Sequence, residues 1–254
     1  MKDSIIKNNR KIIWLSIACM LGIWQMISGL ISSEIIFPSP FSVFKGIGFI
    51  VQEKYFWISV LSTVKRGLLG ILFSLFSGGA LGIYAGLKKG GRIFLRPYVS
   101  LIRTTPVVVL ILIALIWMTA DFVPVFISFL ISFPIIYTNT VQGIIQVDKS
   151  LVDMAKVYEV GKSRILREIY LPSISAYLTA GVSTAMGIGW KAVIAAEILS
   201  QPKYSIGTRL IEAKIYLEID RVFAWALLAV ALSFIFDNLL RIVEKRTMKW
   251  KTIE

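Results

Sequence analysis

Two stretches of this chain, Ile12–Ser33 and Phe122–Val147, contain no charged residue. Each exceeds the roughly 20 mostly apolar residues that a helix needs to cross a bilayer. In hydrocarbon a backbone N–H or C=O finds no water, so a crossing segment must satisfy its own hydrogen bonds. Four further apolar runs follow: 67–87, 105–120, 172–199 and 222–243. Residues 1–254 are therefore expected to form one transmembrane domain, an all-α integral membrane protein with six transmembrane helices (12–33, 67–87, 105–120, 122–147, 172–199 and 222–243). Composition supports this. Hydrophobic residues make up 56% and charged residues 17% of the chain, against about 25% charged in soluble domains.

Several function classes are excluded by residue types alone. The chain has no histidine, so imidazole metal ligands and histidine general bases are ruled out. Its single cysteine, Cys19, lies inside an apolar run and implies neither a disulfide nor a metal site. No cofactor is expected. The net charge of +13 would suggest nucleic acid on a soluble protein. On a membrane protein it first reports which side the loops face. With the N-terminus inside, the alternate segments hold 19 basic residues on the cytoplasmic side and 8 on the outer side. Lys45, Lys54, Lys65 and Arg66 are among the outer ones, and Lys191 is left within a span. The positive-inside rule then puts both termini in the cytoplasm, with no nucleic-acid partner implied. The first run is too long for a signal peptide and is read as a retained span.

Within the spans, Gly78, Gly79, Gly82 and Gly86 recur at near-helical spacing, which suits close helix packing. Pro134 falls in the middle of the fourth run and predicts a kink. Trp14, Trp24, Trp117 and Trp225 suit interfaces or packing. Arg103 suits a helix-end anchor. Asp237 and Arg241, four apart, suit a local ion pair.

The segment 148–171 between spans four and five lies on the cytoplasmic side in this topology. It contains Gly161-Lys162-Ser163, the tail of a phosphate-binding loop. Such a loop needs a glycine five residues earlier so that its amides can curl round the phosphates. Lys156 occupies that position, and the preceding residues have helical rather than strand periodicity. Leu151, Met154, Ala155, Tyr158, Ile165, Leu166 and Ile169 supply apolar positions. Lys156, Lys162, Arg164, Arg167 and Glu168 supply polar ones. Gly161 would allow a sharp turn between two short helices, and Pro172 would open the next span. Such a helix–turn–helix suits either docking of a partner or adsorption on lipid.

The sequence DMAKVYEVGKSRILREIYLP resembles the EAA loop of ABC importer permeases, E-A-A-x3-G-x9-I-x-L-P. Asp153, Met154 and Ala155 stand at Glu-Ala-Ala. Ile169, Leu171 and Pro172 stand at I-x-L-P. Glu159 occupies the glycine position and Gly161 follows two residues later, so the turn is expected to be shifted. FPSPFSVFKGI resembles the segment after span one, and GIGWKAVIAAEIL the fifth span, of permeases of the nitrate/sulfonate/taurine type. The resemblance covers nearly the whole chain. It implies a type I ABC importer permease fold with a cytoplasmic coupling-helix loop, in the inner membrane. It also implies a second permease subunit as a homodimer, two cytoplasmic ATPase subunits and an external binding protein. Asp153, Met154, Ala155, Glu159, Gly161, Lys162, Arg164, Arg167 and Pro172 would contact or position the ATPase. The substrates that the resemblance leaves open are sulfonates, nitrate, taurine and thiamine-precursor pyrimidines.

Lys191 and Glu197 interrupt the fifth span. A charge at the bilayer centre costs about 2.5–3.5 kcal/mol on insertion scales and usually faces a bundle interior or an aqueous path. Six residues apart, they lie about 240° around a helix and cannot simply pair. They are expected, with Trp190, to line the translocation path, the alternative being snorkelling to the surface. The chain is thus expected to be the permease subunit of an ATP-driven importer, with no catalytic site of its own. The rival is a secondary transporter or channel using Lys191 and Glu197.

Overall fold

The computed structural model describes residues 2–248, and the side chains of residues 12–236 and 238. Asp237 and Arg241, the expected ion pair in the last span, have side chains outside that range. The described residues form eleven α-helices joined by short turns, with one π-helical segment. These are α1 (Lys2–Ile31), α2 (Pro40–Gln52), α3 (Phe56–Leu87), α4 (Lys89–Thr104), α5 (Val107–Trp117) and α6 (Val123–Ile145). There follow α7 (Lys149–Val157), α8 (Lys162–Ile165), the π segment (Leu166–Tyr170), α9 (Leu171–Ser200), α10 (Ile206–Ile215) and α11 (Ile219–Met248).

Five helical stretches are long and apolar enough to cross a membrane: Ile12–Ile31, Phe56–Leu87, Val123–Ile145, Lys162–Ser200 and Ile219–Phe236. The expected third span at 105–120 is realised only as α5. Its 11 residues reach about 16 Å at 1.5 Å per residue, which is about half of a hydrocarbon core. Helix α4 joins it at a bend of 99°, so the two helices do not form one straight crossing.

The centre of the bundle is α6, sandwiched between α3 and α9. Lipid tails are as apolar as leucine, so helices associate in a membrane through close packing rather than hydrophobic exclusion. Glycine provides that closeness here. A Cβ on Gly82 would lie 2.6 Å from Thr140 Cβ, and one on Gly86 would lie 2.5 Å from Ile144 Cβ. Gly70 meets Ser128 in the same register, so α3 and α6 run parallel. Of the four glycines singled out above, Gly79 alone faces open space. On the other side Gly181 abuts Asn139 and Gly189 abuts Ser132, which sets α9 antiparallel to α6. Hydroxyls add bonds between helices: Ser74 Oγ donates to Phe129 O at 2.8 Å and Ser128 Oγ to Gly67 O at 3.2 Å.

The far end of the bundle from α7 is closed by α2 and α10. The Pro38-Ser39-Pro40 run starts α2, with Ser39 as N-cap accepting from Ser42 N at 3.1 Å and Pro40 inside the first turn, where its missing N–H costs nothing. Trp225 is buried against Phe56, beside Ile50 and Ile206. Trp24 packs on Phe37 and Phe223 and donates to Pro38 O.

Candidate functional site

At the α7 end of the bundle, residues 148–170 fold as a helix, a turn and a second helix with a small core of their own. Asp148 caps α7, accepting from the backbone N of Ser150 at 2.8 Å and from its hydroxyl at 2.6 Å. These two bonds hold the Asp148 carboxyl below its ordinary pKa, because they favour its charged form. Val152 and Ala155 point inward and meet Val147 and Ile165, with Val160, Ile169 and Tyr170 packed around them. Leu151, Met154, Val157 and Tyr158 point outward, Val157 being 80% and Tyr158 77% exposed.

The turn differs from expectation. Glu159 itself takes the left-handed conformation, with φ at 56°. Its N–H bonds Lys156 O, and the N–H of Val160 reaches back to Ala155 O, both at 2.9 Å. This pair of bonds is the Schellman helix ending, which ordinarily places glycine where Glu159 stands. The turn therefore sits at the glycine position of the motif and is not shifted. Gly161 has φ of −59° and starts α8, so it needs no glycine-specific conformation. A Cβ there would meet nothing within 4 Å.

Around the turn, Lys156 Nζ bonds Asp153 Oδ1 at 2.8 Å, and Arg164 Nε bonds Glu168 Oε1 at 2.9 Å. The Asp153 bond raises the Lys156 pKa. Lys162 and Arg167 are exposed. Pro172 stands in the first turn of α9, but the backbone does not break before it. Residues Lys162–Ser200 are one continuous helical run, and Pro172 follows the π segment after Leu171 alone. A proline cannot donate to the carbonyl four residues back and its ring crowds that carbonyl. The widened π turn absorbs the fault without a break.

The other predicted charges occupy different surroundings. Lys191 is exposed on α9, at a groove of about 430 Å³ between α9 and α11 that Trp190, Ile194, Ala229 and Phe234 also line. No carboxylate among the described residues pairs with it. Trp190 is only 4% exposed. Its Nε1 donates to Ala229 O at 3.2 Å and its ring packs on Phe236. In this conformation it braces α9 against α11.

Glu197 is wholly buried. It accepts from Thr63 Oγ1 at 2.9 Å, Arg66 Nη1 at 3.1 Å and the backbone N of Gly207 at 3.3 Å. Arg66 also donates to Tyr204 O at 2.8 Å and to Asp121. Arg66 is not in the outer segment that its place before the second apolar run suggests. It lies inside α3, bonded to Glu197, Tyr204 O and Asp121, and Lys65 lies beside it in the same helix. Charge alone marks Lys65 and Arg66 as the end of an apolar run, whereas the helix continues through them. Burial is possible because Glu197 neutralises Arg66 and the guanidinium makes two further bonds, to Tyr204 O and Asp121. Thr63, Arg66 and Asp121 were not recognised as a site. The available signal was opposite charges on two apolar runs, Glu197 within one and Arg66 at the edge of another.

An all-helical membrane bundle with a helix–turn–helix projecting from one end has the build of a transport subunit. The chain belongs to the family of binding-protein-dependent transport system inner membrane components, whose profile matches residues 78–249. It is 25% identical over 236 residues to the putative aliphatic sulfonates transport permease protein SsuC of Bacillus subtilis, covering 92% of this chain and 85% of that protein. It is 29% identical over 194 residues to the nitrate import permease protein NrtB of Synechococcus elongatus, covering 70% and 68%. The taurine transport system permease protein TauC of Escherichia coli is 22% identical over 242 residues, covering 92% and 88%. The fold is also that of a crystal structure of an amino acid ABC transporter with histidines. The TM-score is 0.63 at 16% identity, over 76% of this chain and 94% of that one. The chain is a multi-pass membrane subunit of an ABC importer, and the secondary-transporter reading is not supported.

Proposed function

We propose that α7, its turn and α8 form the coupling element through which cytoplasmic ATPase subunits drive this permease. The observation that carries this is the outward ridge of Leu151, Met154, Val157 and Tyr158 over a separate core. Exposed apolar groups ringed by charged pairs suit a protein partner. Helix α8 runs on into α9 without a break, so a push on the turn reaches Lys191 as a movement of one rod. Alternating access then follows as rocking of spans around a central site. Two ATPases engage a pair of permease subunits, most simply two copies of this chain, and an extracytoplasmic binding protein delivers solute to the opposite face. Both termini lie in the cytoplasm. Glu159, Gly161, Lys162, Arg164, Arg167 and Pro172 shape or flank the contact, and Asp153, Met154 and Ala155 lie on α7 itself.

The solute is small. An exposed cation on a membrane-embedded helix suits an anionic group, and the relatives named above are described for sulfonates, nitrate and taurine. Lys191 is the residue to receive it.

Reconstitution with the ATPase and the binding protein tests the coupling role. Met154→Asp with Tyr158→Asp should abolish ATP-driven uptake and ATPase association while the permease remains inserted and monodisperse. Normal uptake by that variant would remove the ridge from the mechanism.

A further inference from the structure

Helix α4 is not used by this mechanism, yet its surface is organised into three faces. At about 100° per residue, Lys89, Arg92, Arg96 and Arg103 fall in one narrow sector. Phe94, Tyr98 and Leu101 fall on the opposite side and are 66%, 56% and 66% exposed. Between these faces Val99 is buried, with Leu95, against Tyr137 and Val141 of α6. The 99° bend to α5 turns α4 away from the direction of the short helix that enters the bundle. No acidic residue occurs between Glu53 and Asp121. No carboxylate among the described residues pairs with Lys88, Lys89, Arg92, Arg96 or Arg103. At its start, Arg92 shares a cleft of about 380 Å³ with Lys149, Asp153, Lys156 and Tyr170. Asp153 there is engaged by Lys156, which leaves Arg92 and Lys149 as free cations at the coupling element.

We infer that α4 is an interfacial helix that binds the phosphate headgroups of anionic phospholipids in the cytoplasmic leaflet. Its basic face and the Arg92–Lys149 cleft hold the headgroup, while Phe94, Tyr98 and Leu101 enter the acyl boundary. An apolar face opposite a purely basic one is the pattern of a helix lying in the membrane plane. Cytosolic anions alone do not account for the exposed aromatic side. The headgroup then lies against α7, so lipid charge acts on the element that takes up the ATPase stroke. The inference rests on the cytoplasmic placement of the α7 end.

The test uses the purified full chain in detergent, with lipid binding counted by native mass spectrometry. Phosphatidylglycerol and phosphatidylcholine of matched acyl chains are the probes. One cation near a charged headgroup is worth about 1 kcal/mol, or about fivefold in affinity. The wild type should therefore prefer phosphatidylglycerol by at least about fivefold. The triple variant Arg92→Gln, Arg96→Gln, Arg103→Gln should bind the two lipids alike, and the corresponding triple Lys variant should keep the preference. Equal binding by the wild type would overturn the inference, as would displacement of the lipid by inorganic phosphate at comparable concentration. Persistence of the preference in the Gln variant together with lost ATPase association would assign the face to a protein instead. A second measurement does not depend on the arginines. In a Cys19→Ser background, a bimane on Tyr98→Cys should be quenched by acyl-brominated lipid in vesicles, and an unquenched probe would also overturn the inference. Neither assay requires transport, so its failure is separable from failure of the coupling role.

Discussion

The guanidinium of Arg66 lies 3.1 Å from the carboxylate of Glu197 and ties α3 to α9 across 131 positions of sequence. Thr63 and the Gly207 amide complete the carboxylate's bonds, and Asp121 brings in the link between α5 and α6. Removing one partner of a buried pair leaves an uncompensated charge and costs about 3–5 kcal/mol, whereas replacing both by apolar groups is often close to neutral. Arg66→Met should therefore sharply lower the thermal midpoint of the detergent-solubilised chain. Arg66→Met combined with Glu197→Met should recover most of the loss. Because Asp121 is 70% exposed on its side chain, Asp121→Asn should cost less than about 1 kcal/mol. A double variant as unstable as the single one would show that Glu197 is held by something other than Arg66.

Glu159 adopts a conformation that costs a residue with a Cβ roughly 1–2 kcal/mol. Glu159→Gly should relieve much of that and protect the turn from proteolysis at 158–161. Gly161→Ala should be neutral or slightly stabilising, since its φ is ordinary and the space beside it is open. Comparison of protease half-lives for the two variants checks both at once. A destabilised Glu159→Gly would mean that the side chain makes a compensating contact with a partner or with lipid.

What could be read from the sequence follows from how membranes constrain it. The uncharged runs around Ile23 and Ile136 could only be spans, because hydrocarbon leaves the backbone no other solution. The α5 region was harder. Its helix is half the needed length, and α4, which precedes it across a sharp bend, carries arginines that disqualify it by hydropathy. Arg66 was misplaced for a related reason: a window of sequence records the charge but not the carboxylate 131 positions away that makes its burial tolerable. The coupling turn was found by its motif spacing, yet glycine preference pointed to Gly161 when hydrogen bonding placed the left-handed residue at Glu159. The pairing of α3 with α6 is invisible in principle from one helix, since a glycine row shows that something packs closely but not what.

That pairing makes its own prediction. Gly82 is so close to Thr140 that any side chain must separate α3 from α6. Overpacking of this kind costs about 1–3 kcal/mol, and here it falls on the two most closely packed helices of the bundle. Gly82→Leu should lower the thermal midpoint and the yield of monodisperse protein. Gly79→Leu, one turn away but facing open space, should change neither. Equal behaviour of the two variants would mean that α3 does not pack on α6 in this register.

Lys191 gives the sharpest test of the solute path. It is exposed and has no carboxylate partner among the described residues, so its charge contributes little to holding the fold. Lys191→Met should leave the thermal midpoint and ATPase association unchanged. Transport should respond differently. A cation about 4 Å from an anion contributes about 4 kcal/mol at an effective dielectric of about 20, and the desolvation of both groups returns part of that. Since about 1.4 kcal/mol corresponds to tenfold, uptake of an anionic solute at limiting concentration should fall by at least roughly tenfold. Lys191→Arg should retain most of the activity, and Lys191→Glu should fall below Lys191→Met because it repels the same solute. The measurement is initial-rate uptake in proteoliposomes carrying the ATPase and loaded binding protein, normalised to inserted permease. Ordering of the variants by charge, at constant assembly, places Lys191 on the path. Equal uptake across all four proteins would make it a residue that only reaches toward the membrane surface, and the solute's charge would have to be read by other groups.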